Sequence, residues 1–207
     1  MPSQDRTGET PKQLAEVGAL PIPEPDTLDE DLQKYMAVCQ QKLGHVPNVI
    51  KVFSFRPAKL RTFIAKYNEL MLSDESSLSH LEREMIAVVV SCVNRCVYCL
   101  ASHGQAVREL SGDPVLGDIL SINYREANLT PRQRAMLDHA WNMTSAPWES
   151  GASDRQALFD AGLSPEEIFD VNDIISFFNY TNRMAQSLGM QPNEYYFGRN
   201  RLPDPAG

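Results

Sequence analysis

Three of the four cysteines in this 207-residue chain, Cys92, Cys96 and Cys99, fall within eight residues, while Cys39 stands apart. Two residues separate Cys96 from Cys99, and His103 lies four beyond Cys99, giving a C-x-x-C-x-x-x-H run. On a helix, positions three and four apart share a face, so this spacing stacks two sulfurs and an imidazole along one stripe. The start of a helix favours negative charge, through its unpaired N–H groups and its dipole. Thiols held there ionise at roughly 3.5–7.5 instead of about 8.5, and the thiolate is the nucleophile. A thiolate at Cys96 or Cys99 would gain from both effects, so the pattern describes a reactive dithiol.

Such a thiol needs a base, and the base needs an orienting group. Glu84 lies ten residues before a break at Asn94 and Arg95. At the helical rise, that is roughly 15 Å down a first helix, and His103 lies roughly 12 Å down the second. If the two helices pack antiparallel, Glu84 and His103 come level. The carboxylate can then orient the imidazole that takes the thiol proton, a chain of nucleophile, base and orienter. Glu84 shares a stripe with Leu81 and Val88 and is expected to be buried, whereas Glu82 and Arg83 read as surface charges.

Other readings of these residues stand beside this one. Cys96, Cys99 and His103 are also three zinc ligands, but no second C-x-x-C pair closes a tetrahedral site. His45, His80 or His139 could add a fourth ligand without any spacing signal. Inert packing is the third reading, and it is the one expected for Cys39 and Cys92. Tyr98 reads as a pocket wall, His80 as solvated and His139 as packed. The Phe177, Phe178 and Tyr180 cluster reads as core or subunit interface.

The elements that must hold these groups are all helical. Residues 1–25, with Pro2, Pro11, Pro21, Pro23 and Pro25, read as an extended N-terminal arm preceding a single helical domain over 26–207. Asp26 or Thr27 is expected to cap a helix to about Leu43, ended by Gly44. Further helices are expected from Asn48 to Phe53, from Pro57 to about Leu72, and over 80–93, the last capped by Ser79 and apolar all round from Met85 to Val90. The next spans about 96–111, followed by a short one near 114–120. The remaining helices run from Thr130-Pro131 to about Asn142, over 153–161, and from Ser164 to about Leu188. No alternating strand pattern appears, so the fold class is all-α.

Composition narrows the function. Hydrophobic residues make up 43% of the chain and charged ones 22%, as in an ordinary globular domain. A net charge of −8 with no basic stripe argues against nucleic acid. No apolar run is long enough for a membrane span, and residues 1–25 hold no apolar signal core, so a cytoplasmic location is expected. No flavin, haem or nucleotide motif is present, and no cofactor is expected. Electrons for dithiol chemistry would come from another protein or a small thiol. The Tyr195-Tyr196-Phe197 patch and the apolar last helix suggest assembly with copies of the same chain.

The spacing of Glu84, Cys96, Cys99 and His103 resembles that of the AhpD-like alkylhydroperoxidases and the wider carboxymuconolactone decarboxylase family. Gly44-His-Val-Pro-Asn48 looks like that family's upstream turn. Asn182 to Gly189, with Arg183, Met184 and Leu188, is similar to the closing helix of its peroxidase-related branch. The resemblance covers roughly residues 27–195 and implies an AhpD-like helical bundle with thiol-dependent hydroperoxide reduction. It implies Cys99 as the peroxidatic thiol, Cys96 as the resolving thiol and Glu84–His103 as the proton relay, with a thiol or dithiol protein as reductant. AhpD itself carries histidine just before the second cysteine, where this chain has Tyr98. A decarboxylase-like enzyme and a non-catalytic redox sensor are the alternatives.

Overall fold

A computed structural model describes residues 16–202, and among them there is no strand. The helices are α1 (Glu30–Leu43), α2 (Asn48–Phe53), α3 (Pro57–Tyr67), α4 (His80–Val93) and α5 (Val97–Ser111), followed by α6 (Leu116–Asn123), α7 (Pro131–Ser145), α8 (Ala152–Asp160), α9 (Pro165–Ser187) and α10 (Tyr195–Gly198). None is long and apolar enough to cross a membrane.

Local chemistry sets most of the boundaries. Capping boxes open α4 (Ser79 with Glu82), α7 (Thr130 with Gln133) and α9 (Ser164 with Glu167), each satisfying two otherwise orphaned N–H groups. Gly44 and Gly112 end α1 and α5 in the left-handed conformation that glycine adopts without steric cost.

Helix α6 lies two to three residues later than expected, α7 runs on to Ser145, the tail closes an unforeseen turn at α10, and two boundaries differ by more. The first helix does not start at Asp26 or Thr27. Pro25–Thr27 closes a separate 3₁₀ turn, and Leu28 is extended and buried before α1 begins. The helix opened by Pro57 does not run to Leu72 as one α-helix. It widens into a π-helical turn over Asn68–Leu72, in which the adjacent Leu70 and Met71 are both buried.

Helix α4 is the axle of the bundle. Every residue from Arg83 to Ser91 is buried, and the helix packs against α5, α6, α7 and α9. An apolar surface on all sides demands neighbours on all sides. The charges at its start are not surface charges, which corrects the expectation for Glu82 and Arg83. Arg83 is 1% exposed, and its guanidinium donates to the carbonyls of Ser73 (2.7 Å), Leu78 (2.9 Å) and Ser76 (3.3 Å). Glu82 accepts from Arg132 (2.9 Å), which also pairs with Glu167 (2.7 Å). The starts of α4, α7 and α9 are thereby tied together.

The N-terminal arm lies outside the described residues up to residue 15. From there the chain packs on the end of α9, with the Ala19 N–H donating to Leu188 (2.8 Å) and the Gln191 N–H to Val17 (3.0 Å).

Helix α5 is clamped between α4 and α6. Gly117 of α6 sits so close to Gly104 of α5 that a Cβ added at Gly117 would lie 2.3 Å from the Gly104 carbonyl oxygen. Backbone cannot step aside as a flexible side chain can, so only glycine fits. Gly117→Ala should therefore destabilise the fold by about 1–3 kcal/mol, the usual range for forced overpacking. Denaturant unfolding measures this, and a variant as stable as the parent would show that α5 and α6 do not cross this closely.

Candidate active site

The two cysteines owe their position to how α4 ends. The Arg95 N–H donates to the Cys92 carbonyl and the Cys96 N–H to the Ser91 carbonyl, both at 3.0 Å. These are the paired bonds of a Schellman close. Its left-handed position is filled by Arg95 (φ 55°), a conformation that costs a non-glycine residue of order 1 kcal/mol. The residue that completes this motif, Cys96, is also the N-cap of α5. No loop intervenes, so the register between the two helices is rigidly set.

That register brings Glu84 and His103 level. The imidazole Nδ1 lies 2.6 Å from the Glu84 Oε2, and the two residues are only 6% and 7% exposed. The Phe178 ring stands edge-on to the imidazole, with centroids 4.6 Å apart. Donation from Nδ1 to the carboxylate leaves Nε2 of a neutral imidazole as the basic nitrogen.

Cys96 and Cys99 are both reduced and nearly fully buried. The Cys99 thiol, the backbone N–H groups at Cys99 and Tyr98, and His103 all favour the Cys96 thiolate, against burial, and bring the Cys96 pKa down to about 7. The proton that Cys99 turns toward Cys96, together with burial, holds the Cys99 thiol well above its ordinary range. The Cys99 thiol, helped by the N–H groups of the helix start, thus favours charge on Cys96 first.

Cys99, not Cys96, lines a cavity of about 460 Å³ that His103 and Glu84 also face. Its walls are largely apolar and aromatic, with Phe63, Tyr67, Met71, Phe177 and Phe178 among them. Tyr98 is a wall residue as expected. Its hydroxyl accepts from the Val49 N–H at 3.0 Å and contacts Tyr196.

Cys92, expected in the core, is half-buried and its thiol donates to the Ser121 carbonyl (2.9 Å). Cys39 is buried and reaches the cavity wall. His139 is packed as expected, and His80, its side chain 41% exposed, meets solvent as expected while also bordering the cavity. Among the described residues, no three His, Cys, Asp or Glu side chains gather in a metal-holding arrangement.

Sequence reasoning missed a set of neutral polar side chains behind the cysteines. Ser91 and Asn182 are both 0% exposed, and the Asn182 amide donates to the Ser91 Oγ at 3.1 Å while the Ser91 hydroxyl donates to the Ala87 carbonyl. Asn182 was legible as a member of the inward face of α9, since Phe178 and Ala185 lie four before and three after it. Tyr67 was missed too. Burial and the Glu84 charge push its hydroxyl well above the usual tyrosine range.

A titration follows from these shifts. Cys96 is the one cysteine lowered, while burial raises Cys39 and Cys92 and the shared proton raises Cys99. The reduced protein should therefore show a single thiolate with a midpoint near 7. The ultraviolet absorbance of thiolate reads this, and its loss in Cys96→Ser assigns it. Two thiolates formed below the ordinary thiol range, or none, would contradict the arrangement.

The chain is similar to known proteins over most of its length. Residues 58–114 match the model of the carboxymuconolactone decarboxylase family. A crystal structure described as an uncharacterized peroxidase-related protein from Silicibacter sp. TM1040 is 51% identical, with 92% of this chain and 99% of that one covered and a TM-score of 0.87. An alkylhydroperoxidase AhpD core, an uncharacterized peroxidase-related protein from Ralstonia eutropha JMP134, is 38% identical over 91% and 99% of the two chains, again with a TM-score of 0.87. The debrominase Bmp8 in complex with 2,3,4-tribromopyrrole shares the fold at 16% identity, with 89% and 96% coverage and a TM-score of 0.73. No curated protein matches. With its all-helical bundle, its family-model match and these relatives, the chain belongs to the AhpD-like, carboxymuconolactone decarboxylase family.

Proposed function

We propose that this protein is a thiol-dependent hydroperoxide reductase of the alkylhydroperoxidase type. The observation that carries this reading is the buried Glu84–His103 pair beside a reduced Cys96–Cys99 dithiol, with Cys99 facing an apolar cavity. A hydroperoxide entering that cavity meets Cys99 and His103 together.

The cycle balances as follows. Cys99, its proton removed to the His103–Glu84 relay, attacks the terminal peroxide oxygen. The S–O bond forms as the O–O bond breaks, and the departing alkoxide takes a proton from the relay to leave as alcohol. The Cys96 thiolate then attacks the Cys99 sulfenic acid. The disulfide forms, the S–O bond breaks, and hydroxide leaves as water on receiving a proton. An external thiol or dithiol protein supplies the two electrons that reopen the disulfide. The depressed pKa of Cys96 suits the second attack, and the placement of Cys99 suits the first.

Turnover is the deciding measurement. With excess dithiol, the protein should consume many equivalents of an organic hydroperoxide per site, whereas a redox sensor would stop near one. Cys99→Ser should abolish consumption, and Cys96→Ser should trap a sulfenic acid at Cys99 that mass spectrometry locates. Oxidation found on Cys96 in the parent protein before any disulfide forms would reverse the two roles. Absence of turnover with a sound fold would remove the peroxidase reading in favour of a sensor or another chemistry of the family.

The relay makes a separate prediction. Glu84→Gln keeps the shape and removes the carboxylate, so the fold should survive while thiol reactivity falls on the order of a hundredfold. Glu75→Gln, an exposed acid outside the site, is the control. Equal loss in both, or in neither, would show that the carboxylate does not act through His103.

A further inference from the structure

We infer that Arg108 is a positioning residue that limits the size of the molecules able to reach Cys99, by holding α10 as one wall of the cavity. The inference rests on the thiol-peroxidase reading above and adds to it a specificity determinant that the Glu84–His103–cysteine pattern does not contain.

Met190, Tyr195, Tyr196 and Arg199 bring the chain back along the cavity after α9 has ended. Helix α10 has four residues, too few to hold itself. Polar contacts hold it from both sides instead. Before it, the Asn193 Oδ1 accepts from the Asn48 N–H (2.8 Å), while the Asn193 amide group donates to the Val46 carbonyl (3.1 Å). The Asn48 side chain donates to the Gln191 carbonyl (2.8 Å). Behind it, the Arg108 guanidinium reaches out from α5 and donates to the carbonyls of Tyr196 (2.8 Å) and Arg199 (3.2 Å). Gln105, on the same side of α5, adds a bond to the Asn200 Oδ1 (2.9 Å). Between these pins the Tyr196 ring stands edge-on to Tyr98 and to His45, with centroids 6.5 and 5.3 Å apart.

Arg108 is only 3% exposed. A buried cation is tolerated when its N–H groups are satisfied. Asp118 stands 3.5 Å away but pairs more closely with Arg201, so the two carbonyls of the α10 segment are the shorter contacts of Arg108. A guanidinium presents its donors in a rigid fork, which fixes two carbonyls three residues apart in one geometry. The anchor itself is firm. The Arg108 Nη1 runs beside Gly104, 3.9 Å from where a Cβ would lie, at the crossing of α5 with α6. Gly104 follows His103 directly, and Cys99 lies one turn before His103, so the wall made by α10 is set against both of them. With that wall in place, an incoming molecule must fit a space of about 460 Å³.

The test isolates Cys99 in a Cys96→Ser background and compares its alkylation by N-methylmaleimide and by the much larger pyrenylmaleimide. Each rate is scaled to that with glutathione, and mass spectrometry places the adduct on Cys99. With Arg108 intact, the large reagent should lag the small one, and equal scaled rates would overturn the inference. Adding Arg108→Gln should speed the large reagent by about tenfold, as for loss of a hydrogen bond to a charged group, and leave the small one unchanged. A structural role alone would lower the melting temperature and leave the ratio of the two rates in place, and that result overturns the inference equally. Should the variant not fold, Asn193→Ala loosens the other end of the segment and should move the ratio in the same direction. An unmoved ratio there counts against the inference in the same way. Neither reagent is a peroxide, so failure of the peroxidase reading would show separately, as absent turnover with the size ratio still dependent on Arg108.

Discussion

A carboxylate withdrawn from water must be paired, and the pairing of Glu84 with His103 is the constraint on which the rest of this structure depends. An isolated buried charge costs many kcal/mol, and removing one partner of a buried pair typically costs 3–5 kcal/mol. The partners sit on different helices, so α4 and α5 cannot slide past each other without breaking that bond. The direct passage from the Schellman close into the first turn of α5 leaves no slack either. The crossing of Gly104 and Gly117 presses α5 from the other side, and Phe178 closes over the imidazole. Four separate contacts thus hold one imidazole, and each costs the chain some freedom of sequence: a glycine at 117, an aromatic at 178, an acid at 84, a left-handed residue at 95.

The site divides into a charged half and a neutral half. In the proposed cycle Glu84 and His103 move protons on the cavity side. Ser91, Asn94, Asn179 and Asn182 form an uncharged network on the other side, connecting α9 to the turn that carries the cysteines. A second buried ion pair there would demand its own compensation, and in the low-dielectric interior a neutral, fully satisfied network avoids that cost. Its position explains why α9 is long and polar at intervals along its inward face. The helix must reach from the aromatic wall at Phe177 and Phe178 to the hairpin tip at Asn94, and it changes from apolar to amide side chains on the way.

Much of this was legible in the sequence, and the reasons are local. Ser79 and Glu82 mark the start of α4 by a capping box, and the apolar run from Met85 to Val90 marks it as central. With a break at 94 and 95, helical rise alone places Glu84 opposite His103, because both offsets are counted within one hairpin. What was not legible depends on distant partners. Glu82 and Arg83 read as surface charges because Arg132 and the carbonyls of 73–78 come into reach only in the folded bundle. Asn182 meets Ser91 across 91 residues of sequence, and no periodicity encodes that contact. The left-handed Arg95 is hidden for another reason. The motif ordinarily announces itself with glycine, and here the Schellman bonds outweigh a penalty of order 1 kcal/mol.

The placement of the two thiols resolves what first looks like a conflict between acidity and access. The sulfur with the depressed pKa is Cys96, at the helix start, while the sulfur exposed to the cavity is Cys99. A single proton shared between them reconciles the two. The pair titrates as a unit, with one thiol held near 7 and the other well above the ordinary thiol range. On the Cys96 side the backbone N–H groups of α5 are permanent. On the Cys99 side the cavity brings a proton acceptor at His103, held in place by the bundle. In the proposed cycle the charge is needed at Cys99 for the first attack and at Cys96 for the second, so a dithiol biased irreversibly to either sulfur would stall at one step. In that cycle the helix start serves the second step and the acceptor at His103 the first, and both require the rigid hairpin that Glu84 and His103 lock.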